Sequence, residues 1–240
     1  MGSKKYKGKT CVYCRQRMSV DGDHVVCGAF FPINRRSDLP QVPACRECNH
    51  QKSLIEHYLT AVLPIGARHA DAQDVMNMTP KRLAANKALH QRLAQGLRHV
   101  FHSKNGGPWQ VDATLPIDGQ AVEKLFQYLV RGLAWHHWKL EIGSKVFVRA
   151  SFINETGLPF FERFFNGEAA ARVVADLGAG GFRYEGIQSK ETALLTMWRM
   201  SLYGLVVSDG KAESDVVYGV TIPHDMPVAT KFLAHMGMTV

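Results

Sequence analysis

Four of the five cysteines of this chain form two Cys-x-x-Cys pairs, Cys11 with Cys14 and Cys45 with Cys48. One such turn presents two thiolates to a single ion, and two turns complete the tetrahedral four-sulfur site that zinc prefers. A closed site of this kind has no open coordination position, so we expect a structural Zn²⁺ whose binding supplies folding energy. The fifth cysteine, Cys27, lies outside both pairs and is predicted to be a small buried residue.

Polar residues suited to hydrolysis accompany the cysteine pairs. Asp23-His24 lies between the pairs, and Asn49-His50-Gln51-Lys52 follows the second pair. Phosphodiester hydrolysis needs an activated water, a cation on the leaving oxygen and neutralisation of charge around phosphorus. A histidine can serve as the general base, and carboxylate and amide oxygens suit Mg²⁺. We therefore expect the cysteine turns to bring the Asp23-His24 strand close to a helix that starts at Asn49.

Taken together, these residues resemble a zinc-containing HNH endonuclease. The resemblance covers about residues 8 to 56 and is carried by the joint pattern, because no single piece of it is specific. It implies a ββα-metal fold, in which a β-hairpin and a helix hold one catalytic metal ion. The matching residues are Cys11-x-x-Cys14, Asp23-His24-Val25-Val26, Phe31-Pro32, Leu39-Pro40 and Val42-Pro43-Ala44-Cys45-x-x-Cys48-Asn49-x-x-Lys52-Ser53.

The resemblance also implies a role for each matching polar residue. His24 would be the general base, and Asp23 and Asn49 would be ligands of a catalytic Mg²⁺ or Mn²⁺ ion. Lys52, one helical turn after Asn49, would contact the scissile phosphate or a neighbouring one. His50 is either a third metal ligand or a residue that points to solvent or phosphate.

The chain departs from the family pattern at the middle asparagine, which stiffens the loop and orients the histidine. Asp38 and Asn34 are the candidates for this position, and Asp38 fits the spacing to Leu39-Pro40 better. An aspartate could brace the loop through an Asx-type hydrogen bond.

Composition agrees with a nucleic-acid partner. The 240 residues carry a formal net charge of +8, which attracts phosphate backbones. The basic residues at the start form either a solvated tail or a phosphate-contacting arm: Lys4, Lys5, Lys7, Lys9, Arg15 and Arg17. We see no run apolar enough for a membrane helix and no signal peptide, and therefore expect a cytoplasmic protein.

The predicted fold class is α+β, with a small zinc-stapled ββα-metal module over residues 1–63 and a larger region over 64–240. Apolar spacing predicts helices over 49–63, from Thr79-Pro80 to about 102, over 120–138, and over 160–177 with a break near Asn166-Gly167. Strands are predicted over 145–152, 182–184, 194–207 and 216–222. Within the third helix, Trp135-His136-His137-Trp138 is predicted to anchor a core or interface, because adjacent histidines on a helix form a poor chelate.

The favoured hypothesis is a metal-dependent endonuclease that acts on DNA in the first place, with RNA as the alternative substrate. Two hypotheses from other classes stay open. A non-catalytic zinc module would bind nucleic acid without cleaving it. A protein-interaction domain with a structural zinc would show no salt-sensitive binding of nucleic acid at all.

Overall fold

The architecture is a mixture of helices and antiparallel strands, as the sequence predicts. The computed structural model describes residues 4–67, 69–103, 107–115, 117–153, 157–204, 207–208, 213–214 and 216–226. Within these ranges, none of the helices combines the length and the apolar character that crossing a membrane requires.

The N-terminal part is a strand–strand–helix unit, the order that the resemblance implies. Strands β1 (Asp21–His24) and β2 (Gln41–Ala44) pair antiparallel, so that His24 lies opposite Gln41. Helix α1 (Arg46–Val62) follows β2 after a single residue. It begins three residues before the predicted start at Asn49, because Cys45 acts as its N-cap.

The middle of the chain corrects one prediction. After a short helix α2 (Ala70–Asn77), the chain forms α3 (Thr79–Ala85) and α4 (Lys87–Gly96) in place of the single helix predicted from Thr79 to about residue 102. Asn86 interrupts the helix because its side chain caps α4, accepting from the Leu89 N–H at 3.0 Å. Residues after α4 form a hairpin of β3 (Arg98–His102) and β4 (Gln110–Thr114).

The C-terminal part is a helix and a five-stranded sheet. Helix α5 (Gly119–Trp138) confirms the prediction for residues 120–138. The elements after α5 are β5 (Val146–Phe152), α6 (Leu158–Asn166), β6 (Ala171–Leu177), β7 (Phe182–Gln188), β8 (Thr196–Leu202), the separate short pair β9 (Val207–Ser208) and β10 (Glu213–Ser214), and β11 (Val217–Pro223). The five strands of the sheet are all antiparallel and lie in the order β5-β11-β8-β7-β6.

The predicted helix over 160–177 is wrong in its second half. Helix α6 ends at Asn166, and Ala171–Leu177 forms an edge strand with alternating half-buried and exposed residues. The backbone of Gly167 turns extended and ends the helix. The β-branched pair Val173-Val174 then favours the strand.

Helix α5 joins the N-terminal unit to the sheet, because it packs on α1 and β2 and also on β5 and β11. One hydrophobic cluster consequently runs through both parts and includes Val25, Leu59, Leu129 and Trp198. Helix α6 covers the other face of the sheet and forms a second cluster around Phe161. The predicted division into domains at residue 63 stays a prediction.

Helix α5 packs closely against Val25, the residue after His24, and this packing can be tested. A Cβ atom added at Gly132 would lie 2.7 Å from Cγ1 of Val25, which is fully buried. We expect overpacking in Gly132→Ala to lower the free energy of unfolding by about 1–3 kcal/mol. The higher helix propensity of alanine should offset about 1 kcal/mol of that loss. Gly119→Ala in the first turn of the same helix is the matched control, since nothing lies within 4 Å of its added Cβ. Denaturant unfolding of both variants measures the difference, and equal effects would contradict the packing described.

Candidate functional site

The two cysteine pairs meet at one point. The Sγ atoms of Cys11, Cys14, Cys45 and Cys48 all lie within 4.8 Å of one another, and those of Cys14 and Cys45 are 3.9 Å apart. Zinc–sulfur bonds of about 2.3 Å in a tetrahedron place the sulfurs about 3.8 Å apart. The predicted cluster is therefore present and could hold a structural metal such as zinc, and Cys27 lies outside it as predicted.

Backbone contacts build the two turns that carry the thiols. In the second turn, the Sγ atom of Cys45 accepts from the Cys48 N–H at 3.5 Å, which also caps α1. In the first turn, the Arg15 N–H donates to the Cys11 carbonyl, and Arg15 adopts a positive φ of 58°. The Val12 N–H donates to the Pro43 carbonyl at 3.0 Å and ties this turn to β2.

The electrostatics of the cluster favour a bound cation. Burial and the neighbouring thiols raise the pKa of Cys48, and burial raises that of Cys11. Although burial opposes it, backbone N–H groups of Gln16 and Arg17 lower the pKa of Cys14 to about 7. Four thiolates this close repel one another, and a divalent cation among them relieves that repulsion. The donor set therefore fits Zn²⁺.

A buried charged group lies beneath the hairpin. The Nζ atom of Lys52 is 3.0 Å from Oδ2 of Asp23 and 2.5 Å from Oε1 of Glu56, and it donates to the His24 carbonyl at 2.7 Å. The Tyr13 hydroxyl donates to the same Asp23 Oδ2 at 2.6 Å. All four side chains are buried, and Lys52 is 0% exposed. We call Asp23, Lys52, Glu56 and Tyr13 the buried ion cluster.

The lysine of this cluster remains charged because two carboxylates surround it. Although burial opposes it, Asp23 and Glu56 raise the pKa of Lys52. Burial raises the pKa of Glu56 to about 7, against the opposing effect of Lys52. In this cluster the ammonium group of Lys52 lies between two carboxyl groups, and a buried lysine needs such partners.

The buried ion cluster corrects one predicted role, that of Lys52. Lys52 cannot contact a phosphate from this position, because its side chain is fully buried and its Nζ is taken up by protein oxygens. The Mg²⁺ or Mn²⁺ site predicted at Asp23 and Asn49 stays a prediction. A divalent cation at the Asp23 carboxylate would lie beside the buried ammonium of Lys52, which opposes its binding.

His24 lies on the opposite face of β1 from Asp23. Asp23 is buried whereas His24 is exposed, as expected for consecutive residues of a strand. The Nε2 atom of His24 is 2.8 Å from Nε2 of Gln41, its cross-strand neighbour. Burial lowers the pKa of His24, Asp23 opposes this and Lys52 adds to it. The lowered pKa favours the unprotonated imidazole, and the side chain is accessible from solvent, as a general base must be.

The remaining predicted residues make no described hydrogen bond to His24. Asn49 is half-buried in the first turn of α1, and His50 beside it is exposed. Asp38 is exposed with a positive φ of 59°, and it makes no hydrogen bond to any described residue. Asn34 is exposed in a short 3₁₀ turn. Neither candidate for the middle asparagine braces the loop or orients His24 by a described hydrogen bond, whereas Gln41 contacts the imidazole directly.

Sequence reasoning missed three of the residues at this site. Gln41 could be found only from the strand register, which the hairpin sets. Glu56 carries a local signal, since it stands four residues after Lys52, the spacing at which a lysine and a glutamate meet on a helix. Tyr13 has no such signal, because its contact with Asp23 depends on how the first cysteine turn folds onto the hairpin.

Comparison with known proteins does not identify a family for this chain. No family model matches the chain, and neither the curated proteins nor the solved structures include a significant match to it.

The thiol cluster can be tested by comparing cysteines. We expect Cys48→Ala to abolish bound metal and to destabilise the N-terminal unit strongly, because three thiols no longer complete a tetrahedron. Cys27→Ala is the control: it should keep the metal and cost about 1 kcal/mol, through loss of its cap to the Ala29 N–H. Metal content by mass spectrometry and thermal unfolding report the two effects. Full metal content in Cys48→Ala would argue against the cluster.

The buried ion cluster makes a separate prediction. Lys52→Ala leaves two carboxylates buried without a cation, so we expect a loss of roughly 3–5 kcal/mol in the free energy of unfolding. Lys124→Ala on the exposed surface of α5 is the matched control and should change stability by about 0.5 kcal/mol or less. A fully stable Lys52→Ala protein would show that Lys52 does not occupy the buried position.

Proposed function

We propose that this chain hydrolyses phosphodiester bonds in nucleic acid, DNA in the first place, with His24 as the general base. The observation that supports this most is the exposed imidazole with a lowered pKa, held across the strands by Gln41 on a hairpin that a thiol cluster fastens to α1. The strand–strand–helix order and the spacing of the cysteine pairs, which resemble a zinc-containing HNH endonuclease, point to the same chemistry.

The contact with Gln41 suggests which nitrogen of His24 acts. It engages Nε2, so Nδ1 is the nitrogen left to face a substrate. A half-turn of the Gln41 amide would let its oxygen accept from Nε2–H, with the lone pair on Nδ1. In the reaction, water oxygen attacks phosphorus, one water proton passes to Nδ1, and the bond to the leaving oxygen breaks. The leaving oxygen then takes a proton from solvent.

The dependence on Mg²⁺ or Mn²⁺ is a separate part of the proposal and rests on the resemblance alone. In-line attack puts the base and any cation at the leaving oxygen on opposite sides of phosphorus. The side chains of His24 and Asp23 lie on opposite faces of β1, which is compatible with that requirement. Pairing of Asp23 with Lys52 opposes a metal at this carboxylate, so the metal requirement has to be measured.

A second function is favoured by one specific observation. Because Lys52 already neutralises Asp23, the same unit could bind nucleic acid without cutting it. A non-catalytic zinc module of this kind predicts salt-sensitive binding but no strand breaks, and the binding would be unchanged in His24→Ala.

Plasmid cleavage distinguishes the two functions. We expect the wild-type protein to nick or linearise plasmid DNA with added Mg²⁺ or Mn²⁺, and His24→Ala to be about 100-fold slower or worse. His57→Ala, an exposed histidine of α1, is the matched control and should cut normally. The rate should fall as the pH drops through the lowered pKa of His24, since protonation removes the base. Zinc content must be checked in the chelator arm, because a chelator can also strip the thiol cluster.

Two results would overturn the nuclease proposal. One is the absence of cleavage of duplex, single-stranded and RNA substrates by zinc-loaded protein. The other is cleavage by His24→Ala at the wild-type rate, which would point to a contaminating nuclease.

A further inference from the structure

Three lysines surround one pair of aromatic rings beside the hairpin. The Nζ atoms of Lys5 and Lys9 lie 5.5 Å and 5.7 Å from the ring centroid of Tyr6. That of Lys139, just after α5, lies 4.4 Å from the Trp135 ring. The rings of Tyr6 and Trp135 meet edge to face at 6.2 Å. We call the surface of Lys5, Lys9 and Lys139 the lysine face.

The lysine face carries uncompensated positive charge. All three lysines are exposed, and no carboxylate in the described ranges forms an ion pair with them. Other basic residues do have such partners, as Arg15 does with Glu141 and Lys190 with Glu168. Burial and the charges of Lys5 and Lys9 lower the pKa of Lys139, as expected where ammonium groups crowd together. Contact with the aromatic rings stabilises the cations despite their repulsion, and the Nζ atom of Lys139 also donates to the His136 carbonyl at 2.8 Å.

This surface adjoins His24. A Cβ atom added at Gly22 would lie 2.6 Å from the Tyr6 ring and 3.3 Å from Oε1 of Gln41. Because Gly22 and His24 are two residues apart in β1, the Tyr6 ring lies on the same face of the hairpin as His24. Helix α5, which carries Trp135, packs against β2, the strand that carries Gln41. Gln41 is thus the link between the lysine face and the candidate base.

We propose that the lysine face binds the sugar–phosphate backbone of nucleic acid and leads it to His24. Ammonium groups on flexible stems suit phosphates as point charges, and their contacts carry no sequence information. Lys139 also has a local role, because a cation after a helix C-terminus stabilises the helix dipole. Lys5 and Lys9 belong to no α-helix, so that role does not account for the cluster. The final step, delivery to His24, rests on the proposed function, whereas the binding stands apart from it.

The test measures binding in a background that cannot cleave. All proteins carry His24→Ala, and the probe is a labelled DNA duplex of mixed sequence titrated at several salt concentrations. We expect the triple variant K5Q/K9Q/K139Q to bind about tenfold or more weakly at 0.1 M salt, with the salt slope reduced by about 2 to 3, since each phosphate contact contributes about 0.9. The control K81Q/K87Q/K145Q removes the same charge from exposed lysines elsewhere and should change the slope by less than 1. Circular dichroism checks that both variants fold.

Equal weakening in the two triple variants would overturn the proposal, because net charge alone would then explain binding. So would failure of the parent protein to bind DNA, or adsorption to anionic phospholipid vesicles through these lysines without DNA binding. Cleavage by proteins that retain His24 separates the two proposals. Loss of binding in K5Q/K9Q/K139Q, in a protein that never cuts, would uphold the lysine face and refute the nuclease.

Discussion

The convergence of four thiols within 4.8 Å is the constraint on which the rest of the N-terminal unit depends. Strands β1 and β2 have four residues each, and a two-stranded hairpin of that size is marginal in water. A metal ion held by the turn at Cys11 and the helix start at Cys45 would fasten three elements together at once. It would fix the positions of the loop, the hairpin and α1, and would give His24 and Gln41 a rigid support.

Beneath the hairpin, the buried ion cluster determines which residues remain for chemistry. It places one lysine between two carboxylates and keeps Asp23 and Lys52 away from solvent. His24, the next residue along β1, consequently carries its side chain on the outer face, where it contacts Gln41 and where the Tyr6 ring also lies. The chemistry proposed for this chain therefore belongs to the outer face of the hairpin and not to the groove between the hairpin and α1.

Residue types and spacing were sufficient to predict features that depend on short-range order. The cysteine cluster, α1, α5 and β5 follow from local patterns. The helix predicted across Asn86 failed because a cap residue within an apolar repeat can end one helix and begin another. The helix prediction for residues 171–177 failed because their apolar spacing resembles a continuation of α6, whereas pairing with β7 makes them a strand.

The functional residues likewise divide into those that local sequence patterns indicate and those that only long-range packing reveals. His24 could be singled out from the sequence because the dipeptide and the cysteine frame come together. The partners of Lys52 could not, since a phosphate contact, a solvated helix face and a buried ion pair are all compatible with a lysine one turn after Asn49. Only the packing of α1 on the Asp23 face selects the buried one. Gln41 emerges from the strand register, and the lysine face from the meeting of the N-terminal segment with a helix more than a hundred residues later (Lys5 and Lys139).

X-ray absorption at the zinc edge on the purified protein tests the central claim most directly. We expect one zinc per chain with four sulfur ligands at about 2.3 Å and no nitrogen or oxygen ligand. Protein that folds with no metal, or a metal bound through imidazole or carboxylate donors, would contradict the thiol clamp on which the positions of α1, the hairpin and His24 depend.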